Sequence, residues 1–201
     1  MIRALMMDVD GVVIDGRPSD GRRWDAELAA DFGLNAAILR EAFFVPFWDR
    51  IVVGEVAMRD CLTKTLAEIA PNVTADALIS YWFQNDSRLN RPLLQELTEA
   101  RASGLRVYLA TNQEHERAAY LTEALVLCDH IDGCHYSADI GYRKPRSEFF
   151  RIVARRVAMP PSELLLVDDS AENVQAAIAA GWQAAHWTPG STLRAILAGQ
   201  V

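Results

Sequence analysis

The sequence predicts an α/β fold: a parallel sheet flanked by helices, with an all-helical lobe set in after the first strand. Three observations predict it. Short apolar runs end abruptly in polar residues, helical periodicities separate those runs, and the stretch 17–86 breaks the alternation with successive helical patterns. The chain has 201 residues, of which 51% are hydrophobic and 23% charged. A chain of that length buries about 70% of its unfolded surface, so it needs neither a disulfide nor a structural metal to fold.

The first run is IRALMM (Ile2 to Met7), continuous enough for a strand covered on both faces, and it stops at DVDG. From about Arg17 to Asp86 the pattern is helical, with Met58, Leu62, Leu66 and Ile69 on one face and a bulky FFVPFW cluster (Phe43 to Trp48). A helix follows from Arg91 to Ser103, with Asn90 as its cap and Gly104 as its stop. The second strand is LRVYLAT (Leu105 to Thr111). Phe149, Ile152, Val153 and Val157 repeat at helical spacing after Ser147. The third strand, LLLV (Leu164 to Val167), runs into Asp168 and Asp169. Val174, Ala177 and Ile178 mark a helix ended by Gly181, and QAAHW (Gln183 to Trp187) is a weaker fourth strand. There is no internal repeat and no low-complexity segment.

Charge and cysteine usage narrow the partners. The 27 acids exceed the 20 bases, a net charge of -7, which gives no general attraction to nucleic acid or to an anionic membrane. Neither is an expected partner. Cys61, Cys128 and Cys134 form no C-x-x-C, the first apolar run is too short for a signal-peptide core, and no stretch reaches the length of a membrane span. A reduced, cytoplasmic protein is the expectation. CDHIDGCH (Cys128 to His135) lacks zinc-ligand spacing, and its cysteines read as small core residues.

In a parallel sheet, ligands gather at the carboxyl ends of the strands. Asp8 and Asp10 stand there after the first strand, Thr111 and Asn112 after the second, and Asp168 and Asp169 after the third; Lys144 lies in the loop GYRKPRSEFF. Carboxylates crowded together repel one another and raise their own pKa values, whereas a hard divalent cation such as Mg²⁺ removes the conflict. A lysine and a hydroxyl beside that cation make a place for a phosphate. An aspartate can attack phosphorus and a second carboxylate can protonate the leaving oxygen, so the inventory suits phosphoryl transfer. Each residue alone has a plainer reading. Asp8 before Gly11 is an ordinary turn aspartate, and Thr111, Asn112, Asp168 and Asp169 can simply cap the helices that follow. Lys144 is less easily dismissed, because only it and Lys64 are lysines in a chain whose other 18 bases are arginine.

Taken in order, DVDGVV, ATNQ, YRKP and VDDSAENVQAA resemble the four motifs of the haloacid dehalogenase-like hydrolase superfamily, over the whole chain. The resemblance implies a Rossmann-like parallel sheet core, residues 1–16 and 87–201, and a small helical cap, 17–86. It implies Asp8 as nucleophile and Asp10 as general acid/base. Thr111, the Asn112 backbone and Lys144 would hold the phosphoryl group. Mg²⁺ would be bound by Asp8, the Asp10 carbonyl and Asp169. Asp168 would act through water or a hydrogen bond, with direct ligation left open.

The acid at Asp10 favours phosphoryl chemistry, since the family's dehalogenases release a halide that needs no proton and lack an acid at that place. Phosphonate hydrolysis calls for a cap lysine, and Lys64 lies in LTKTLAEIA on what reads as an outward face. The expected function is a Mg²⁺-dependent phosphatase of a small phosphorylated metabolite such as a sugar phosphate. A phosphomutase and a catalytically silent phosphate-binding or regulatory protein are the alternatives. Most of the aromatic cluster reads as packing between cap helices; Phe47 and Trp48 are its candidates for substrate contact. Arg22, Arg23 and Arg50 read as solvated charges, with Arg50 the candidate for a second anionic group. Oligomeric state is open.

Overall fold

The computed structural model describes residues 1–199. Its elements run β1 (Ala4–Met7), α1 (Leu28–Phe32), α2 (Ala36–Leu39), α3 (Val45–Ile51), α4 (Met58–Ile69), α5 (Ala75–Asn85), α6 (Arg91–Ala102), β2 (Arg106–Thr111), α7 (His115–Ala119), β3 (Gly133–Tyr136), α8 (Ser137–Ile140), α9 (Ser147–Val157), β4 (Leu164–Asp168), α10 (Ala171–Ala179), β5 (Gln183–His186) and α11 (Leu193–Ala198). The five strands form one parallel sheet in the order β3-β2-β1-β4-β5. The strand β3 is additional to the four apolar runs; its GCHY sequence is short and half-buried at the sheet edge, so it carries little apolar signal.

All of β1 is buried, and its alternate residues serve two cores. Leu5 and Met7, with Val107, Leu109, Leu165 and Val167, pack on α6 through Leu93 and Leu97. Ala4 and Met6, with Ala110, Leu164 and Leu166, pack on the other face against Phe149, Phe150 and Val153 of α9 and Ala177 of α10. Each buried phenylalanine contributes about 1.5–3 kcal/mol by leaving water. Both faces are therefore covered, which is why the central strands read as unbroken apolar runs.

Helices α1 to α5, with the π-helical turn Arg40–Phe44 between α2 and α3, build a third core of their own around Leu28, Phe43, Ile51, Met58, Leu62, Leu66, Leu78 and Trp82. Met58, Leu62 and Leu66 are buried with Ile69 half-buried, the face anticipated from their spacing. Lys64 is exposed on the same helix. Trp24 stacks on Trp82 at 5.1 Å, and Phe44 and Trp48 close around the same indole.

This lobe rests on the sheet's carboxyl edge through specific contacts. Ser137 Oγ donates to Val52 O at 2.5 Å, Arg143 pairs with Asp49 at 2.9 Å, and Arg59 donates to Glu116. Gly54 (φ 77°) lies so close to Ala138 that an added Cβ would stand 2.5 Å from its carbonyl oxygen. Buried Arg117 reaches from α7 to the Phe83 and Asp86 carbonyls, with its guanidinium over the rings of Phe83 and Tyr120.

Two local expectations are corrected. Cys128 is exposed on a short 3₁₀ turn rather than in the core, because Leu127 takes the buried position of that turn; Cys134 is half-buried against the first core. The helix after β2 is capped by Glu114, whose carboxylate accepts from the Glu116 and Arg117 amides, and not by Thr111 or Asn112.

Candidate active site

Sheet register assembles the site. Met7 pairs with Val167, so Asp8 stands level with Asp168, and the Asp8 amide donates to Val167 O at 2.9 Å. Met7 also pairs with Leu109, which sets Thr111 beside Val9, with its side chain buried. Asp8, Asp168 and Asp169 each offer a carboxylate oxygen within 4.8 Å of the others. The chain turns sharply after β1, with the Val12, Val13 and Ile14 amides all directed at Val9 O. Gly11 makes that turn at φ 78°, and a Cβ there would stand 2.3 Å from Asp169 Oδ2. The turn and the acidic cluster therefore share one space that only glycine leaves open.

Lys144 lies beneath the cluster with no exposed side-chain surface. Its Nζ is 2.6 Å from Asp168 Oδ2 and 3.0 Å from Asp8 Oδ1. Asn112 positions it: the Asn112 side chain accepts from the Lys144 amide at 2.8 Å and donates to the Lys144 carbonyl at 3.0 Å. The loop 141–146 is thus bound to the end of β2 by a paired amide contact.

The two neighbouring acids of β4 have different environments. Asp168 is fully buried and takes Lys144, the Ser170 amide and the Asn173 side-chain amide. Asp169 is exposed beside Asp8, and its carboxylate accepts no hydrogen bond among the described residues. Ser170 caps α10 by accepting from the Asn173 amide, so neither aspartate is the cap.

Asp10 departs from the cluster. Its carboxylate turns to Gln113, whose Nε2 donates to Asp10 Oδ2 at 2.7 Å. Gln113 and Asn173 were not singled out from the sequence, although both lie inside the quoted motifs, directly after Thr-Asn and in the first turn of α10. Asp86, at the return from the lobe, was also missed. Burial and the neighbouring Asp10 charge push its carboxyl up to about 6 despite Arg117.

Electrostatics records a shortage of positive charge. Burial pushes the Asp8 carboxyl up to about 7, and repulsion from Asp168 and Asp10 adds to it, against the pull of Lys144. Asp169 is raised by burial and by Asp168. Burial opposes the Lys144 charge, but Asp8 and Asp168 outweigh it and hold the ammonium above its ordinary range. One ammonium among these carboxylates leaves net negative charge beside converging oxygens, the donor set a hard divalent cation takes.

The side chains anticipated for substrate contact belong to α3. Phe47 packs against Phe43, Trp48 lies among Phe44 and Trp82, and exposed Arg50 pairs with Glu55. Arg22 and Arg23 pair with Asp20 and Asp25 at the surface.

The chain is similar to known proteins. A phosphoglycolate phosphatase of Salmonella typhi is 34% identical, covering 98% of this chain and 85% of its own. A sesquiterpene phosphatase of Aspergillus oryzae is 30% identical over 70% of this chain and 72% of its own. Among solved structures, a HAD-family enzyme from Bacteroides thetaiotaomicron in complex with magnesium and inorganic phosphate superposes with a TM-score of 0.81 at 18% identity, covering 98% of this chain and 99% of that one. The family model for haloacid dehalogenase-like hydrolases matches residues 2–181, a span that contains every acid, amide and lysine of the strand-end cluster. The chain belongs to the haloacid dehalogenase-like hydrolases.

Proposed function

We propose that this protein is a Mg²⁺-dependent phosphatase that hydrolyses a small phosphorylated metabolite through an aspartyl-phosphate on Asp8. The observation that carries the reading is Lys144, buried and bridging Asp8 and Asp168 beside Asp169, with a second acid, Asp10, held apart by Gln113. The phosphatase names of the two curated relatives support it. The domain division fits the same reading: a core of 1–16 and 87–201 under a cap of 17–86.

In the first step the Asp8 carboxylate attacks phosphorus as the ester P–O bond breaks, and Asp10 gives its proton to the leaving oxygen. In the second, Asp10 takes a proton from water, whose oxygen attacks phosphorus and releases Asp8 and inorganic phosphate. Lys144, the Thr111 hydroxyl and the Asn112 backbone N–H hold the phosphoryl oxygens. Asp8, Asp169 and the Asp10 carbonyl hold the Mg²⁺, which when bound neutralises charge on the carboxylates and the phosphoryl group. Asp168 takes the supporting role of fixing Lys144. Phe47, Trp48 and Arg50 read the leaving group; the Asp49–Arg143 pair, next to Lys144, supports placing α3 over the site. A cytoplasmic location fits the cysteines, none of which is paired among the described residues, and no described helix is long and apolar enough to cross a membrane.

The test is hydrolysis of p-nitrophenyl phosphate and of a phosphometabolite panel, with Mg²⁺ and with EDTA. The panel sets sugar phosphates, which suit a small cap, against 2-phosphoglycolate and a sesquiterpenyl phosphate. Turnover is expected to need Mg²⁺ and to fall about 1,000-fold or more in Asp8→Asn. Full activity in that variant would remove Asp8 as the nucleophile.

A further inference from the structure

We infer that Gln113 is the positioning residue for the general acid, holding the Asp10 carboxyl in one orientation through Oδ2. The inference rests on the phosphatase reading of Asp10 and deepens it. The carboxylate of Asp10 is exposed and, among the described residues, has one hydrogen-bond partner, the Gln113 amide at 2.7 Å from Oδ2. Gln113 itself is 3% exposed. Its backbone is held independently of its side chain: the carbonyl accepts from the Ala138 amide at 3.2 Å and lies 3.1 Å from Ser137 Oγ. A buried donor with an anchored backbone thus meets an exposed acceptor.

The chemical consequence follows from what an amide can offer. The Nε2 group donates and cannot accept, so Oδ2 is kept as an acceptor and Oδ1 is the oxygen left free for proton transfer. Oδ1 is therefore held in one orientation before substrate arrives, which is the condition for efficient proton transfer to a leaving oxygen. Without the amide, the Asp10 side chain samples its rotamers in water and its carboxyl has no fixed orientation. The loss falls on substrates whose leaving oxygen needs a proton. It falls little on p-nitrophenolate, which departs as a stabilised anion.

The experiment compares kcat/KM for benzyl phosphate and p-nitrophenyl phosphate, two esters of similar size, in wild type, Asp10→Asn, Gln113→Met and Gln113→Asn with Mg²⁺. Methionine keeps the length and burial of glutamine without the donor; asparagine keeps the amide but falls one methylene short. The ratio of the two kcat/KM values is read, because lost folding or lost metal scales both substrates alike and leaves the ratio standing even at trace activity. Asp10→Asn is expected to lower the benzyl-to-nitrophenyl ratio by about 100-fold or more. Gln113→Met is expected to lower it by about 5- to 10-fold, the upper scale of a hydrogen bond to an uncharged carboxyl, and Gln113→Asn to fall between Gln113→Met and wild type. A Gln113→Met ratio within about threefold of wild type, alongside a collapsed ratio in Asp10→Asn, overturns the positioning role alone. An unchanged ratio in Asp10→Asn overturns Asp10 as the acid, and the inference with it.

Discussion

Asp168→Ala is expected to destabilise the metal-free protein by about 4 kcal/mol, whereas Asp169→Ala, one residue on, is expected to change it by less than about 0.5 kcal/mol. Asp168 and Lys144 are both without exposed side-chain surface and stand 2.6 Å apart. Removing one partner of such a buried pair costs about 3–5 kcal/mol, because the other charge stays buried. Asp8 at 3.0 Å compensates Lys144 in part. Against that relief, the Ser170 amide and the Asn173 side chain lose their acceptor, at about 1–3 kcal/mol for each donor left dry. For a domain of this size, about 4 kcal/mol lowers Tm by roughly 8–16 °C. Among the described residues the Asp169 carboxylate accepts no hydrogen bond; deleting it removes repulsion from Asp168. The assay is urea unfolding in EDTA, with unchanged m-values confirming that the same two states are compared. Asp168→Asn, which keeps shape and removes charge, should lie between the two alanine variants. In Mg²⁺ the order reverses for ligand response: Asp169→Ala should lose the rise in Tm that Mg²⁺ with beryllium fluoride produces. A loss below about 1.5 kcal/mol in Asp168→Ala, or an equal loss in Asp169→Ala, would refute the assignment of Asp168 to the lysine and Asp169 to the cation.

Gly11→Ala should weaken Mg²⁺-dependent stabilisation as well as fold stability. The methyl would stand 2.3 Å from Asp169 Oδ2, and the φ of 78° adds about 1–2 kcal/mol of strain; a Mg²⁺ titration matching wild type would show that the carboxylate yields without cost. His135 supplies a pH prediction. Burial, reinforced by the Arg156 charge and opposed by Asp139, pushes its imidazole down to about 4, against about 6.5 in the unfolded chain. Between those values the unfolded state binds the extra proton, so stability falls as pH drops from about 6.5 to about 4. His135→Phe keeps a ring against Tyr108 and should flatten that part of the Tm–pH curve relative to wild type; parallel curves would contradict the burial argument.

Much of the fold was legible because its central strands are buried on both faces and therefore continuous in hydrophobicity. The inserted lobe was legible at Met58, Leu62, Leu66 and Ile69, where one helix buries one face. The strand β3 was not, since a short half-buried edge strand needs few apolar residues and Gly133–Tyr136 has few. Cys128 was misplaced for a related reason: a small thiol suits either side of a turn, and Leu127 settled which residue went inside. At the site, residue type announced the acids and the lone lysine of the loop, but an amide such as Gln113 looks the same whether it faces water or a carboxylate.

By itself the sequence determined the order of the four apolar strands and of the helices read between them, and which polar residues follow those strands, because hydrophobic period and turn chemistry are local. What only the tertiary structure decided is the environment of each of those residues. Asp168 and Asp169 are identical in type and adjacent in sequence, yet one is buried against Lys144 and Asn173 and the other faces Asp8 from the open side. Burial and ion pairing depend on what neighbouring strands and loops place within a few ångströms, and the partner of Asp168 arrives from a loop 24 residues away. The partner of Asp10 is 103 residues away, and only the alignment of β1 beside β2 brings it into reach.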